Sequence, residues 1–263
     1  MRLFRQTESV RTQRTELEVR HDGEIYRVQL RRMENARRFI LRVRGATRDA
    51  VLTMPRRASL KDATDFAERN AAWVGVRLRR LPQQVSFADG ATIPLRGVAT
   101  TIVHRPGARG AVWFERATET SPALLCVAGE APHIERRVRD WLKAQARKEL
   151  EASVQLYAAR ISLPPPPLTL RDTTSRWGSC SAAGAVNFSW RLILAPAEVL
   201  AYLAAHEVCH LVHMNHSARF WKLCRSICPE TETAEAWLKA HGAELHRYGA
   251  KPLKPRPDAA IRF

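Results

Sequence analysis

Residues 206–216 read His-Glu-Val-Cys-His-Leu-Val-His-Met-Asn-His, an H-E-x-x-H box with a further histidine ten positions after the first. Residues four apart on a helix lie on the same face, so His206 and His210 can direct two imidazoles at one point. Glu207 is rotated by about 100° from His206 and can face a water at that point without becoming a ligand. This pattern of residue types is typical of a zinc hydrolase site.

The third metal ligand requires a change of direction in the chain. A continuous helix would separate His216 from His206 by about 15 Å, so the helix must end and the chain must fold back. We expect the break near Asn215, and a new helix capped by Ser217. His213 is a rival ligand, but it lies in line with the first two imidazoles. It therefore fits better beside the metal or in the wall of the cleft.

Acidic residues further along the chain are the other rivals for the third ligand position. They are Glu230, Glu232 and Glu235. Their spacing is more typical of a charged helix start. We therefore predict one zinc ion per chain, held by His206, His210 and His216. Glu207 is then the expected general base, taking a proton from zinc-bound water and passing it to the leaving amine of a peptide.

The composition is that of a basic globular protein. The 263 residues carry 43 Lys and Arg against 26 Asp and Glu, a net charge of +17. Fifteen arginines against seven acids fall in residues 1–60, an excess that attracts nucleic acid or other acidic surfaces. The alternative is a solvated, arginine-rich surface without a specific partner.

Targeting and redox features point to one compartment. No apolar run is long enough for a membrane span, and the first residues lack the apolar stretch of a secretory signal. The five cysteines, an odd and scattered set, are typical of reduced thiols. We therefore expect a cytoplasmic protein that is not bound to a membrane. Cys224 and Cys228 are one helical turn apart and could join a metal site, but buried core positions are the more common role.

The periodicity along the chain predicts an α+β fold. Alternating residues before and after Asp22-Gly23 indicate a hairpin, and a capping signal at Ser59 starts a single helix that ends near residue 80. A longer helix is expected over 133–160, ended by four prolines. Two strands, 168–172 and 185–194, flank a Gly/Ser-rich turn and are predicted to form a hairpin leading into the H-E-x-x-H helix.

These elements suggest four regions. They are a flexible basic tail over 1–14, a β-rich region with one helix over 15–130, a helical core with a small antiparallel sheet over 131–249, and a basic, proline-rich tail over 250–263. The β-rich region is expected to pack with the core.

Three motifs together resemble a known family. They are Ser-Arg-Trp-Gly-Ser-Cys-Ser at 175–181, Asn-Phe-Ser-Trp-Arg-Leu-Ile-Leu-Ala-Pro at 187–196, and the box itself followed by Asn-His-Ser-Ala-Arg-Phe-Trp at 215–221. They resemble the YgjP-like family of bacterial zinc metallopeptidase domains, which are related to the SprT-like proteases. The resemblance implies a compact zincin core with His206, His210 and His216 as ligands and Glu207 as base. The ten-residue spacing also occurs in metzincins, but His213 occupies their glycine position and no Met-turn is evident.

The resemblance also implies where a protein or peptide substrate binds. Zincins hold an extended substrate against an edge strand by backbone hydrogen bonds. We expect residues 185–190 to provide this strand, or Arg176 and Trp177 to line the cleft, with Asn187 and His213 as further contacts. The alternative for Trp177 is packing in the core.

Two other functions remain open. The chain could be a nucleic-acid-binding protein, with a structural or vestigial zinc site or as a DNA-associated protease of SprT-like type. It could also be an interaction domain that zinc stabilises.

Overall fold

The computed structural model describes residues 15–249 with the exception of residue 46. The tails predicted for 1–14 and 250–263 lie outside the described residues. The fold is α+β, as predicted, with six α-helices and three small sheets in the described part of the chain. None of the helices within residues 15–249 combines the length and the apolar character needed to cross a membrane.

The chain divides into two compact units, residues 1–82 and 83–263. The boundary expected near residue 130 therefore falls inside the second unit. The reason is a shared hydrophobic core: Ile102 and Leu125, on strands before residue 130, belong to the same buried cluster as Leu142 on the long helix that follows.

In its described part, the first unit contains a four-stranded sheet and two α-helices. Its elements are β1 (Thr15–His21), β2 (Glu24–Met33), β3 (Ile40–Arg44), β4 (Asp49–Pro55), α1 (Leu60–Arg69) and α2 (Ala71–Arg79). The strand order is β1-β2-β4-β3, with β2 and β4 parallel. The predicted β1–β2 hairpin is confirmed, and its turn uses the left-handed region at Asp22 (φ 55°) and Gly23 (φ 76°).

The single helix predicted after Ser59 is two helices. Ser59 caps α1 as expected, its Oγ accepting a hydrogen bond from the Asp62 N–H at 3.0 Å. The helix breaks at Asn70, whose φ of −105° and ψ of 9° are not helical. Its side-chain amide donates to the Phe66 carbonyl at 2.7 Å, a local bond that competes with the helical ladder.

Over residues 83–249, the second unit contains two sheets and four α-helices. Its elements are β5 (Thr92–Leu95), β6 (Val98–His104), β7 (Val112–Glu115), β8 (Ala123–Val127), α3 (Ile134–Arg160), β9 (Leu168–Arg171), β10 (Gly178–Cys180), β11 (Val186–Ser189), α4 (Ala197–Cys209), α5 (Ala218–Ile227) and α6 (Thr231–His241). One sheet has the order β5-β6-β8-β7 and the other β10-β11-β9. Helix α3 confirms the longer helix expected over 133–160; buried residues recur at every fourth position along it and belong to the core.

The predicted hairpin between 168–172 and 185–194 is wrong in its pairing. β9 lies parallel to β11, and the antiparallel partner of β11 is β10. Residues 190–194 leave the sheet as a short 3-10 helix, Trp190–Leu194, that is fully buried. The three-residue strand β10, with one glycine and one serine, has too little apolar alternation to be recognised from sequence.

Candidate metal centre and active site

Helix α4 places the first two histidines of the H-E-x-x-H box. The helix begins after Pro196 and is buried on almost all sides, which explains its nearly continuous apolar sequence. His206 lies in its last turn, and His210 follows as the C-cap residue with helical dihedrals (φ −65°, ψ −19°). Their rings therefore keep the one-turn relation, with centroids 5.0 Å apart.

The chain reverses earlier than the sequence indicated. Helix α4 ends at Cys209, whereas the break was expected near Asn215. The Cys209 carbonyl accepts from the N–H groups of both Val212 and His213, at 3.1 and 3.0 Å, and this turn closes the helix. Helix α5 then begins at the predicted cap, where Ser217 Oγ accepts from the Phe220 N–H at 3.4 Å.

This reversal brings His216 to the other two histidines. One side-chain nitrogen from each of His206, His210 and His216 lies within 4.8 Å of the others, a group that could hold a metal ion. The Nε2 atoms of His206 and His216 are 3.0 Å apart. Two nitrogens on a tetrahedral zinc are about 3.3 Å apart, given Zn–N bonds of about 2.05 Å. The separation between His206 and His216 is therefore compatible with two ligands of one tetrahedral metal.

The outward-facing nitrogens of two rings have partners that fix their orientation. His210 Nδ1 lies 3.1 Å from the His213 carbonyl, to which it can donate. The Tyr202 hydroxyl lies 3.4 Å from His206 Nδ1. Such contacts leave Nε2 free to face a metal and are typical of metal-bound histidines. The contribution of His213 is thus made by its backbone. Within the described residues, its side chain is not part of the group of histidines that could hold a metal ion.

Phe220 lies against all three histidines. Its side chain is fully buried, and its ring centroid is 4.6 to 4.9 Å from those of the three imidazoles. Trp221 stacks on His216 at 5.7 Å. Burial holds the pKa of His210 and of His216 below the usual range. Both rings are therefore neutral at pH 7, which is the form that binds a metal. Helical periodicity alone did not indicate this role for Phe220 and Trp221, although the motif at 215–221 contained both residues.

The candidate base is held in a buried position between α4 and β10. Glu207 is only 4% exposed, and burial raises its pKa to about 7, against the opposing influence of positive charge at His206 and Arg176. A Cβ added at Gly178 would lie 2.9 Å from both Cγ and Cδ of Glu207 and closer still to Oε1. Only glycine leaves room for the carboxylate here. Sequence reasoning missed this function of Gly178, although the Trp-Gly-Ser motif contained it.

A family model for the YgjP-like metallopeptidase domain matches residues 37–241. The chain belongs to the YgjP-like family. The match covers most of the chain and extends into both units. Comparisons with curated proteins and with solved structures give no match.

Three of the predicted substrate contacts lie together in this YgjP-like domain. Arg176, Trp177 and Asn187 line one cavity of about 420 Å³, whereas His213 is not among its lining residues. Trp177 also stacks on His246, with ring centroids 4.7 Å apart, so it serves both the cavity and local packing. Of the acidic rivals for the metal, Glu232 pairs with Arg225 and Glu235 with Lys239, and none of the three belongs to the histidine group.

The strand expected to hold substrate is the wrong one. Residues 186–189 form β11, the middle strand of its sheet, with β10 on one side and β9 on the other. Both of its edges are used, so it cannot add a further strand. The edge strand next to Glu207 is β10, through Gly178.

Proposed function

We propose that this YgjP-like domain is a zinc-dependent metallopeptidase that hydrolyses peptide bonds in a protein or peptide substrate. The observation that carries the proposal is the convergence of three imidazole nitrogens, within 4.8 Å of one another, beside a buried carboxylate. His206, His210 and His216 would hold the zinc, one ion per chain. When bound, zinc supplies Lewis acidity, which lowers the pKa of water and polarises a carbonyl.

Glu207 is the proposed general base. A carboxylate with a pKa near the working pH can both accept a proton from water and return it to a leaving amine. Burial supplies that raised pKa, while the positive charge near it limits the rise. The contact with Gly178 restricts the positions open to the carboxylate, so the proton acceptor is held in place before substrate binds.

Metal analysis combined with a proteolysis assay tests this function. Purified protein is expected to hold about one zinc per chain, and to cleave an unfolded protein such as casein. Chelation should abolish cleavage, and added zinc should restore it. Protein that holds zinc but cleaves no unfolded protein or peptide would contradict the proposal and favour a structural metal.

A second function is favoured by one observation in the first unit. The face of its sheet that turns away from the buried cluster carries exposed arginines at positions 20, 27, 31 and 42. We propose that this face contacts nucleic acid through phosphate. An electrophoretic shift across a salt series tests it: affinity should fall steeply with salt in wild-type protein, and replacing Arg27 and Arg31 by Gln should weaken it. No shift at low salt would contradict it.

The location of the protein is proposed on separate grounds. All five cysteines are free thiols, and four of them are buried. Free buried cysteine is typical of a reducing compartment, which supports a cytoplasmic protein. Fractionation with an antibody against the native chain would test this location.

A further inference from the structure

The edge of the β10-β11-β9 sheet offers a defined place for an extended substrate. Within the described residues, β10 pairs only with β11, so its other side is open to a further strand. This edge lies beside the proposed base, because Gly178 in β10 contacts Glu207. A peptide added to β10 by backbone hydrogen bonds would therefore pass directly by the metal centre.

The register of the sheet determines where the side chains of such a peptide point. Residues directly opposite one another on neighbouring strands share a face, and successive residues alternate between faces. Gly178 pairs with Phe188, on the buried face that holds Glu207. Ser179 pairs with Asn187, on the opposite face. The peptide residue opposite Ser179 would thus turn its side chain toward the face that carries Asn187.

Ser179 and Asn187 both line a cavity of about 420 Å³, which we name the arginine cavity. Its lining consists of Arg171, Thr173, Arg176, Trp177, Gly178, Ser179, Asn187 and Phe188. No carboxylate is among them. Among the described residues, neither guanidinium in this lining forms an ion pair.

The polar groups of the arginine cavity are arranged as donors. Arg171 Nε lies 3.5 Å from Asn187 Oδ1, which orients the amide so that its NH₂ group remains free to donate. Thr173 Oγ1 donates to the Arg176 carbonyl at 2.7 Å, which holds the loop before β10 in a turn. Two arginines and one amide thus line the cavity, with no carboxylate in its lining, and donors of this kind match a carboxylate.

We propose that the arginine cavity is a specificity pocket for an acidic side chain of the substrate, on the residue that pairs opposite Ser179. This assignment rests on the proposed peptidase function. The substrate residue opposite Ser179 is the neighbour of the residue opposite Gly178, which lies on the face that holds Glu207. Nucleic-acid phosphate has a similar charge, but the continuity of the cavity with the β10 edge favours a peptide.

Peptide binding to the inactive variant Glu207→Gln tests the pocket without relying on turnover. The probes are fluorescent ten-residue peptides, each with a single Glu at one position of a neutral sequence, and a matched set with Gln. In zinc-loaded protein, the best Glu peptide should bind about tenfold more tightly than its Gln counterpart, as charge-assisted hydrogen bonds imply. The same preference should appear in kcat/KM for wild-type protein.

Substitution of Arg171 assigns the preference to the cavity. Arg171→Gln should reduce the ratio of the affinities for the Glu and Gln peptides to about twofold or less, while the affinity for the Gln peptide stays unchanged. Arg171→Lys should retain part of the preference for Glu. Arg109→Gln, at an exposed arginine outside the cavity, should change nothing. Arg171 is preferred over Arg176 because the charge of Arg176 also acts on Glu207.

The possible results separate the two proposals. Equal binding of Glu and Gln peptides, or a preference that survives Arg171→Gln, overturns the pocket even if wild-type protein cleaves both sets. A preference that depends on Arg171, in protein that cleaves neither set, supports the pocket and overturns the peptidase function. A further possible result is that a single-stranded oligonucleotide displaces the Glu peptide from the Glu207→Gln protein but not from the same protein with Arg171→Gln added. That result would assign the cavity to phosphate and overturn the acidic-peptide assignment.

Discussion

The carboxyl group of Glu207 packs against the backbone of Gly178. A methyl group at position 178 would lie 2.9 Å from both Cγ and Cδ of the glutamate, well inside van der Waals contact. A side chain of the H-E-x-x-H helix and the edge strand of a small sheet are thus fitted to each other. The contact couples the proposed base to the strand along which a substrate would bind.

Replacing Gly178 by alanine should therefore impair catalysis. The added methyl group must displace Glu207, and a displacement of about 1 Å in a catalytic group can cost about 100-fold in rate. We expect kcat to fall at least tenfold while zinc content stays at one per chain. Gly107→Ala is the matched control, because a Cβ there meets no atom within 4 Å. Full activity in Gly178→Ala would show that the contact does not position the base.

Tyr202 should tune the affinity for metal. Its hydroxyl lies 3.4 Å from His206 Nδ1, and loss of such a partner typically weakens metal binding by about 10- to 100-fold. Tyr202→Phe is expected to show this loss in a competition titration with a zinc chelator. Tyr157→Phe removes another buried hydroxyl, one that contacts Cys228, and should leave zinc affinity unchanged. Equal affinities in the two variants would exclude the role of Tyr202.

The choice between His216 and His213 as third ligand can be tested directly. His216→Ala removes one of the three converging nitrogens, so zinc should be lost during dialysis against a weak chelator. His213→Ala should retain zinc, because the carbonyl that faces His210 belongs to the backbone and is preserved. If His216→Ala retains zinc and His213→Ala loses it, His213 and not His216 is the third ligand.

His246 should make the fold sensitive to acid. Burial, reinforced by the charge of Arg191 and opposed by Asp172, lowers its pKa to about 4, whereas an unfolded chain has a histidine pKa of about 6.5. The unfolded state then binds more protons between these values, so stability falls as the pH drops from about 6.5 to about 4. The contribution of His246 to the free energy of unfolding is therefore fully present above about pH 6.5.

Urea titrations at several pH values measure this effect. They are done with chelator present, so that loss of metal does not contribute. His246→Phe keeps a ring that can stack on Trp177, and its stability should depend less steeply on pH over this window than that of wild-type protein. The same slope in both proteins would show that His246 does not contribute.

The sequence predicted those features of the site that depend on local periodicity. The spacing of His206 and His210 is a property of one helix, and the distance to His216 required a reversal that the structure shows. Helix α4 ends earlier than the break expected near Asn215, because the Cys209 carbonyl already accepts from the N–H groups of Val212 and His213. Local sequence gives little information on such a turn, since its bonds are made by backbone groups.

Contacts between distant segments could not be predicted in this way. The parallel pairing of β9 with β11 and the shared core of Ile102 with Leu142 depend on three-dimensional packing, and the sequence pattern of each segment is compatible with other partners. Gly178 and Phe220 illustrate the same limit. A glycine in a Gly/Ser-rich segment usually indicates a turn, and a phenylalanine in a helix usually indicates the core.

The substitution Glu207→Gln tests the central claim most directly, because it removes the proton acceptor and preserves the shape of the side chain. The variant should hold about one zinc per chain, as wild-type protein is expected to do, and its kcat for peptide hydrolysis should fall by about 100-fold or more. Hydrolysis at the wild-type rate by zinc-loaded Glu207→Gln would contradict the account.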